Sequence, residues 1–111
     1  MSEILTLKEN RDFQRLYKRG KSGVSPILVT YILKNKTDNL RYGITTGKKI
    51  GNAVKRSRAR RVIRAAFREL SPSLRTGYDI VFVARGKTPF VKSTEVKKAM
   101  ETQFRNASLF K

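Results

Sequence analysis

Between Asn52 and Leu70 a single helical repeat carries two different surfaces. At about 100° per residue, Ala59, Val62, Ile63, Ala66, Phe67 and Leu70 fall on one side, while Arg56, Arg60, Arg61, Arg64 and Arg68 crowd an adjoining side. Asn52 is suited to cap the start of this helix, and Ser71-Pro72 to end it near Leu70. The chain must therefore supply a layer for the apolar side to rest on and a reason for the cationic side. That reason is a polyanion. From Asn39 to Arg68 there are ten Lys and Arg and no Asp or Glu, with Asp38 just before and Glu69 just after. A solvated helix usually interleaves acids with its bases, and this one does not. Each Lys or Arg that meets a phosphate releases condensed counterions, so salt-sensitive binding to RNA or DNA is expected.

The formal charge of the 111-residue chain is +18, a self-repulsion that disfavours the compact state until a partner neutralises it. With 39% hydrophobic residues the chain is too apolar for a disordered basic tail, and its length suits one compact domain over residues 1–111. There is no Cys and no His, which removes disulfides, zinc-finger ligation and the usual thiol or imidazole catalysts, and permits a reducing cytosol. Met1-Ser2-Glu3-Ile4-Leu5 has no export-signal pattern, and no run of about 18 apolar residues occurs, so neither export nor membrane spanning is expected.

Other elements follow from local pattern. Thr6-Leu7-Lys8-Glu9 fits a capping box that would open a first helix of about three turns, with Phe13, Leu16 and Tyr17 as its apolar stripe and Gly20 as its stop. Val24 to Leu33 reads as a strand that a break near Pro26 could divide. The polar link Asn35 to Asn39 leads to a strand from Leu40 to Thr46, and the two strands are expected to form an antiparallel pair. Tyr78 to Ala84 is almost continuously apolar, as a central strand covered on both faces would be. A last helix, capped by Ser93 or Thr94, carries Val96, Ala99, Met100 and Phe104. One α+β domain is the economical sum.

Catalytic equipment is thin. A metal-dependent nuclease gathers carboxylates around divalent ions. Here Glu3, Glu9, Asp12, Asp38, Glu69, Asp79, Glu95 and Glu101 lie scattered over different elements, and no metal ligand is assigned. Gly47-Lys48-Lys49-Ile50-Gly51 joins a strand to a helix without the spacing of a Walker loop, although helix N-terminal amides there could grip a phosphate.

The run Lys48-Lys49-Ile50-Gly51-Asn52-Ala53-Val54-Lys55-Arg56-Ser57-Arg58-Ala59-Arg60-Arg61-Val62-Ile63-Arg64 resembles the basic signature of the bacterial ribonuclease P protein family. Asp12-Phe13-Gln14, Tyr42-Gly43, Ile80 to Arg85 and Phe104-Arg105 also stand where that family has counterparts. The resemblance implies a helix-strand-strand-strand-helix-strand-helix order, a ribosomal-protein-like two-layer fold in which the arginine helix forms a left-handed βαβ crossover. Pattern alone would default to the right-handed one. It further implies a cytoplasmic ribonucleoprotein that removes 5′ leaders from precursor tRNA with magnesium. The catalytic RNA would carry the active site, the protein alone would be inactive, and neither a protein-bound cofactor nor an obligate protein partner is implied.

By the same resemblance, Lys49, Lys55, Arg56, Ser57, Arg58, Arg60, Arg61, Arg64 and Arg68 would face the catalytic RNA. Phe13, Tyr17 and Tyr31 would line a cleft for the single-stranded leader, with Lys48, Arg85 and Lys87 as phosphate contacts. Unpaired bases stack on aromatic faces while cations follow the backbone, so these residue types suit that task. Ser57 departs from the family's usual Asn. The competing expectations are a ribosomal or other structural RNA-binding protein, and a stand-alone magnesium nuclease.

Overall fold

A computed structural model describes residues 4–111. Met1, Ser2 and Glu3, which enter the sequence reading of the N-terminus and of the acids, lie outside the described residues. The order is β1 (Ile4–Thr6), α1 (Asn10–Arg19), β2 (Lys21–Val24), β3 (Leu28–Lys34), β4 (Leu40–Thr45), α2 (Ala53–Leu70), β5 (Tyr78–Ala84) and α3 (Ser93–Asn106). Short 3-10 turns cover Lys48–Ile50, Ser71–Ser73 and Thr88–Phe90. This is the expected α+β order with one added strand, β1, ahead of the first helix.

The sheet runs β1-β4-β5-β3-β2. Its centre is β5, whose Ile80, Val81 and Phe82 are wholly buried, because a strand apolar on both faces gains most from having neighbours and layers all round it. It pairs antiparallel with β3 and parallel with β4, the latter through the α2 crossover. The expected antiparallel pairing of the strands on either side of Asn35 to Asn39 is therefore not formed; β5 lies between them. The link instead straddles the start of β5: the Asn35 N–H donates to Gly77 O (2.9 Å), and the Gly77 N–H donates to Asn39 O (3.0 Å). Near Pro26 the chain does divide into two strands, β2 and β3, which form a hairpin. The Ser25 hydroxyl oxygen closes its turn by accepting from the Leu28 N–H at 3.0 Å.

Two local caps differ from expectation. Thr6 sits in β1, drawn into parallel pairing with Tyr42, so no capping box forms. Helix α1 starts at Asn10 behind Glu9, whose carboxylate accepts from Arg11 Nε at 2.6 Å rather than from a helix amide. Helix α3 begins at Ser93 behind an extended Lys92 and has no side-chain cap hydrogen bond, so the expected cap by Ser93 or Thr94 is not formed.

Alternation along the strands creates two unlike faces. Leu28, Ile32, Ile80, Phe82 and Ala84 meet α2 and α3 through Ala59, Val62, Ile63, Ala66, Phe67, Val96, Met100 and Phe104. Phe67 touches Phe82 edge to face at 5.3 Å, an arrangement aromatic rings favour. Within this layer Thr30 donates to Gln103 Oε1, and Gln103 Nε2 donates to Leu28 O at 2.9 Å, so the buried amide is satisfied and α3 is tied to the hairpin. On the opposite face a smaller cluster, Leu7, Leu16 and Val81 with Phe13, Tyr17, Tyr31, Leu33 and Val83, packs under α1. One ten-residue helix covers only part of a five-stranded sheet.

Candidate nucleic-acid interface

Helix α2 begins as expected: Asn52 Oδ1 accepts from the Lys55 N–H at 3.0 Å. Ahead of it Ile50 is buried and Gly51 takes φ +130°, a conformation that favours glycine. The buried Ile50 pins this turn, and Lys48 and Lys49 are exposed beside it. Lys55, Ser57, Arg58, Arg61, Arg64 and Arg68 are also exposed, and Arg56 and Arg60 are half-buried.

Three arginines are aimed by the protein itself. Arg56 Nη1 donates to Gly51 O (3.0 Å), Arg58 Nε to Pro89 O (2.5 Å) and Arg60 Nη1 to Thr46 Oγ1 (2.7 Å). Each uses one nitrogen and keeps the remaining donors of its guanidinium for a ligand. Holding a long side chain in place before binding reduces the ordering cost at binding. Among the described residues no carboxylate pairs with any cation of this face; the ion pair of α2 is Glu69 with Lys97, 3.5 Å apart at the far end of the helix.

The partly covered side of the sheet holds the aromatic residues. Tyr17 and Tyr31 meet edge to face, with ring centroids 5.1 Å apart. Phe13 lies against β4, where a Cβ on Gly43 would sit 2.5 Å from Phe13 Cζ, so the absence of a side chain there admits the ring. Phe13 and Tyr17, with Lys8, Asn10, Gln14 and Thr45, line an open groove of about 440 Å³. Tyr31 braces Tyr17 from the sheet and is not a wall of that groove.

A second recess, of about 180 Å³, brings Phe13 and Gly43 together with Arg60 and Arg64. It forms where β1 ends opposite Tyr42 and leaves the remainder of β4 without a strand on that side. The aromatic groove and the arginine face thus meet at one edge of the sheet.

Lys48, Arg85 and Lys87 stand apart from the groove walls. Lys48 lies beyond the end of β4 and Arg85 directly after β5, so both mark the same end of that parallel pair. Arg85 Nη1 donates to Ser25 O at 3.1 Å, which turns it toward the β2–β3 hairpin; Lys87 is exposed.

Sequence reasoning missed the role of Asp79. Its carboxylate is 1% exposed and accepts from Arg41 Nε (2.7 Å), Arg41 Nη2 (2.6 Å) and Asn35 Nδ2 (2.9 Å), with Arg15 Nη2 at 3.4 Å. The hydrogen bonds to Asp79 raise the Arg41 pKa, outweighing the opposing effect of burial. Arg41 therefore belongs to this internal cluster and not to the cationic face, although it lies in the same acid-free run of sequence. The available signal was a lone acid inside an apolar strand, since a buried charge requires a partner. Among the described residues no three His, Cys, Asp or Glu converge as metal ligands would.

Comparison with known proteins gives a consistent result. The family model described as Ribonuclease P matches residues 1–108. A ribonuclease P protein component from Clostridioides difficile is 43% identical over 96 residues, covering 86% of this chain and 84% of the relative. One from Clostridium beijerinckii is 42% identical and covers 96% of this chain and 91% of the relative. Among solved structures, the Staphylococcus aureus RNase P protein superposes with a TM-score of 0.82 at 34% identity, covering 96% of this chain and 97% of that one. The Thermotoga maritima RNase P protein gives 0.79 at 30% identity, covering 91% and 96%.

Proposed function

This chain belongs to the ribonuclease P protein component family, and we propose that it serves its ribonucleoprotein through two adjoining surfaces, one for the catalytic RNA and one for the leader of precursor tRNA. Family membership makes it the protein subunit of ribonuclease P, a tRNA-processing factor, and sets aside the ribosomal alternative. In this reading the whole of residues 1–111 acts as one unit. Lys49, Lys55, Arg56, Ser57, Arg58, Arg60, Arg61, Arg64 and Arg68 hold the catalytic RNA. Phe13 and Tyr17 take the leader, Tyr31 supports the Tyr17 ring from the sheet, and Lys48, Arg85 and Lys87 follow the leader's phosphates.

The observation that carries this reading is the recess where Phe13 meets Arg60 and Arg64, because it sets a stacking surface for the leader directly beside a cationic surface for the catalytic RNA. Bond cleavage is assigned to the RNA. In this reading the magnesium also belongs to the RNA; among the described residues no three His, Cys, Asp or Glu gather as metal ligands would. We place the assembly in the cytoplasm; no helix among the described residues is long and apolar enough to cross a membrane.

Reconstitution tests the reading. With a bacterial ribonuclease P RNA at low magnesium, the protein should stimulate cleavage of precursor tRNA at its 5′ leader, and the protein alone should cleave nothing. Cleavage by RNA-free protein, or no stimulation of the RNA, would contradict it.

A further inference from the structure

Phe90 is 68% exposed, yet the backbone that carries it is firmly held. Thr88 is wholly buried; its hydroxyl donates to Ile27 O (2.6 Å) and accepts from the Arg85 N–H (2.8 Å). Pro89 is buried too, and its carbonyl accepts from Arg58 Nε on α2. The Phe90 N–H closes the turn by donating to Lys87 O at 3.0 Å. A turn fastened to both the β2–β3 hairpin and α2 thus presents a large apolar ring to water.

The surroundings of the ring indicate its occupant. Lys55 Nζ lies 5.4 Å from the ring centroid, a cation–π distance, and Lys55 is itself exposed. Val54, 76% exposed, is the preceding residue of the same helix. Arg85, Lys87 and Lys92 flank Phe90 in sequence, and the nearest acid along the chain is Glu95. An apolar protein partner would have to desolvate this group of cations, whereas a nucleotide supplies a π-face for the ring and a phosphate for the charges. Phe90 lines neither the aromatic groove nor the recess beside it.

We propose that Phe90 is a stacking platform for an unpaired base of the catalytic RNA, with Lys55 and Arg58 receiving the adjoining phosphates. This rests on the reading that the cationic side of α2 meets that RNA, and adds an aromatic anchor to a contact otherwise made of charges.

The chain contains no Trp, so Phe90→Trp introduces a single indole at the site. Titrating this variant with a bacterial ribonuclease P RNA, while filter binding reports complex formation independently, should quench its emission and shield it from acrylamide. Phe90→Ala should weaken binding roughly five- to a hundredfold, the range of one base–aromatic stack, and leave the salt slope unchanged because no charge is removed. Phe90→Trp should bind at least as well as wild type, and precursor-over-mature tRNA preference should be unaltered in both variants. Normal wild-type binding with silent Phe90→Trp emission, or with undiminished Phe90→Ala affinity, overturns this inference alone. So does quenching by a short leader oligonucleotide in place of the catalytic RNA. Failure of the wild-type protein to bind the RNA overturns the underlying reading and this one with it.

Discussion

Asp79 shows how one residue secures the sheet that both surfaces are built on. It joins β5 to β4 through Arg41 and to the inter-strand link through Asn35. Removing one partner of a buried pair strands the other charge, which costs about 3 to 5 kcal/mol. Arg41→Ala should cost about 3 kcal/mol, the low end of that range, because Arg15 and Asn35 still face the carboxylate. Urea unfolding measures it; a loss below about 1 kcal/mol, the worth of an exposed pair, would show that the cluster is not mutually dependent. Ser57 makes the opposite prediction. It is exposed on α2, so Ser57→Asn should leave the melting curve alone and shift RNA affinity by about 0.5 to 1.5 kcal/mol in favour of Asn, the net worth of one hydrogen bond. A large loss of binding would mean that this hydroxyl makes its own contact. At this scale the sequence disclosed which residues are cationic but not which are tethered. The acceptors of Arg56, Arg58 and Arg60 are a glycine carbonyl, a proline carbonyl and a threonine hydroxyl, groups with no sequence signature for that task.

Among the elements, α2 was the most legible, since its cap, periodicity and stop are all local and all appear where the residues place them. Asn52→Ala should cost about 1 kcal/mol of stability through loss of its bond to the Lys55 N–H, measurable by thermal or urea unfolding. On the same helix, Arg60→Ala with Arg64→Ala should weaken catalytic-RNA binding and reduce the slope of log affinity against log salt by about 0.7 to 0.9 for each phosphate no longer neutralised. A wild-type slope and affinity would show that this face does not meet RNA. The pairing of β3 and β4 was not legible. Their short polar link looks like a hairpin, but β5, arriving after α2, takes the place between them because burial on both faces outweighs the local turn signal. β1 was hidden for a related reason: three residues carry too little pattern, and their strand character comes from the edge of β4.

At the scale of the molecule, the sheet separates two tasks and joins them at one edge. The face under α2 and α3 is a filled core, whereas the face under α1 retains an open aromatic groove. Sequence pattern gave Phe13 and Tyr17 as an apolar helix stripe and the arginines as a cationic face, and the family resemblance implied their RNA-facing roles; their convergence depends on β1 stopping short and on Gly43 admitting the Phe13 ring. The two-surface account is tested most directly by the ratio of precursor to mature tRNA affinity in the assembled holoenzyme, measured for wild type, Phe13→Ala and the Arg60→Ala, Arg64→Ala double variant at saturating protein. Phe13→Ala should lower precursor affinity by roughly 1 to 3 kcal/mol, the worth of one stacked base, with mature tRNA scarcely affected. The arginine variant should need more protein to assemble and then retain most of the wild-type ratio. An unchanged ratio in Phe13→Ala, with the fold intact by circular dichroism, would contradict the assignment of the groove to the leader.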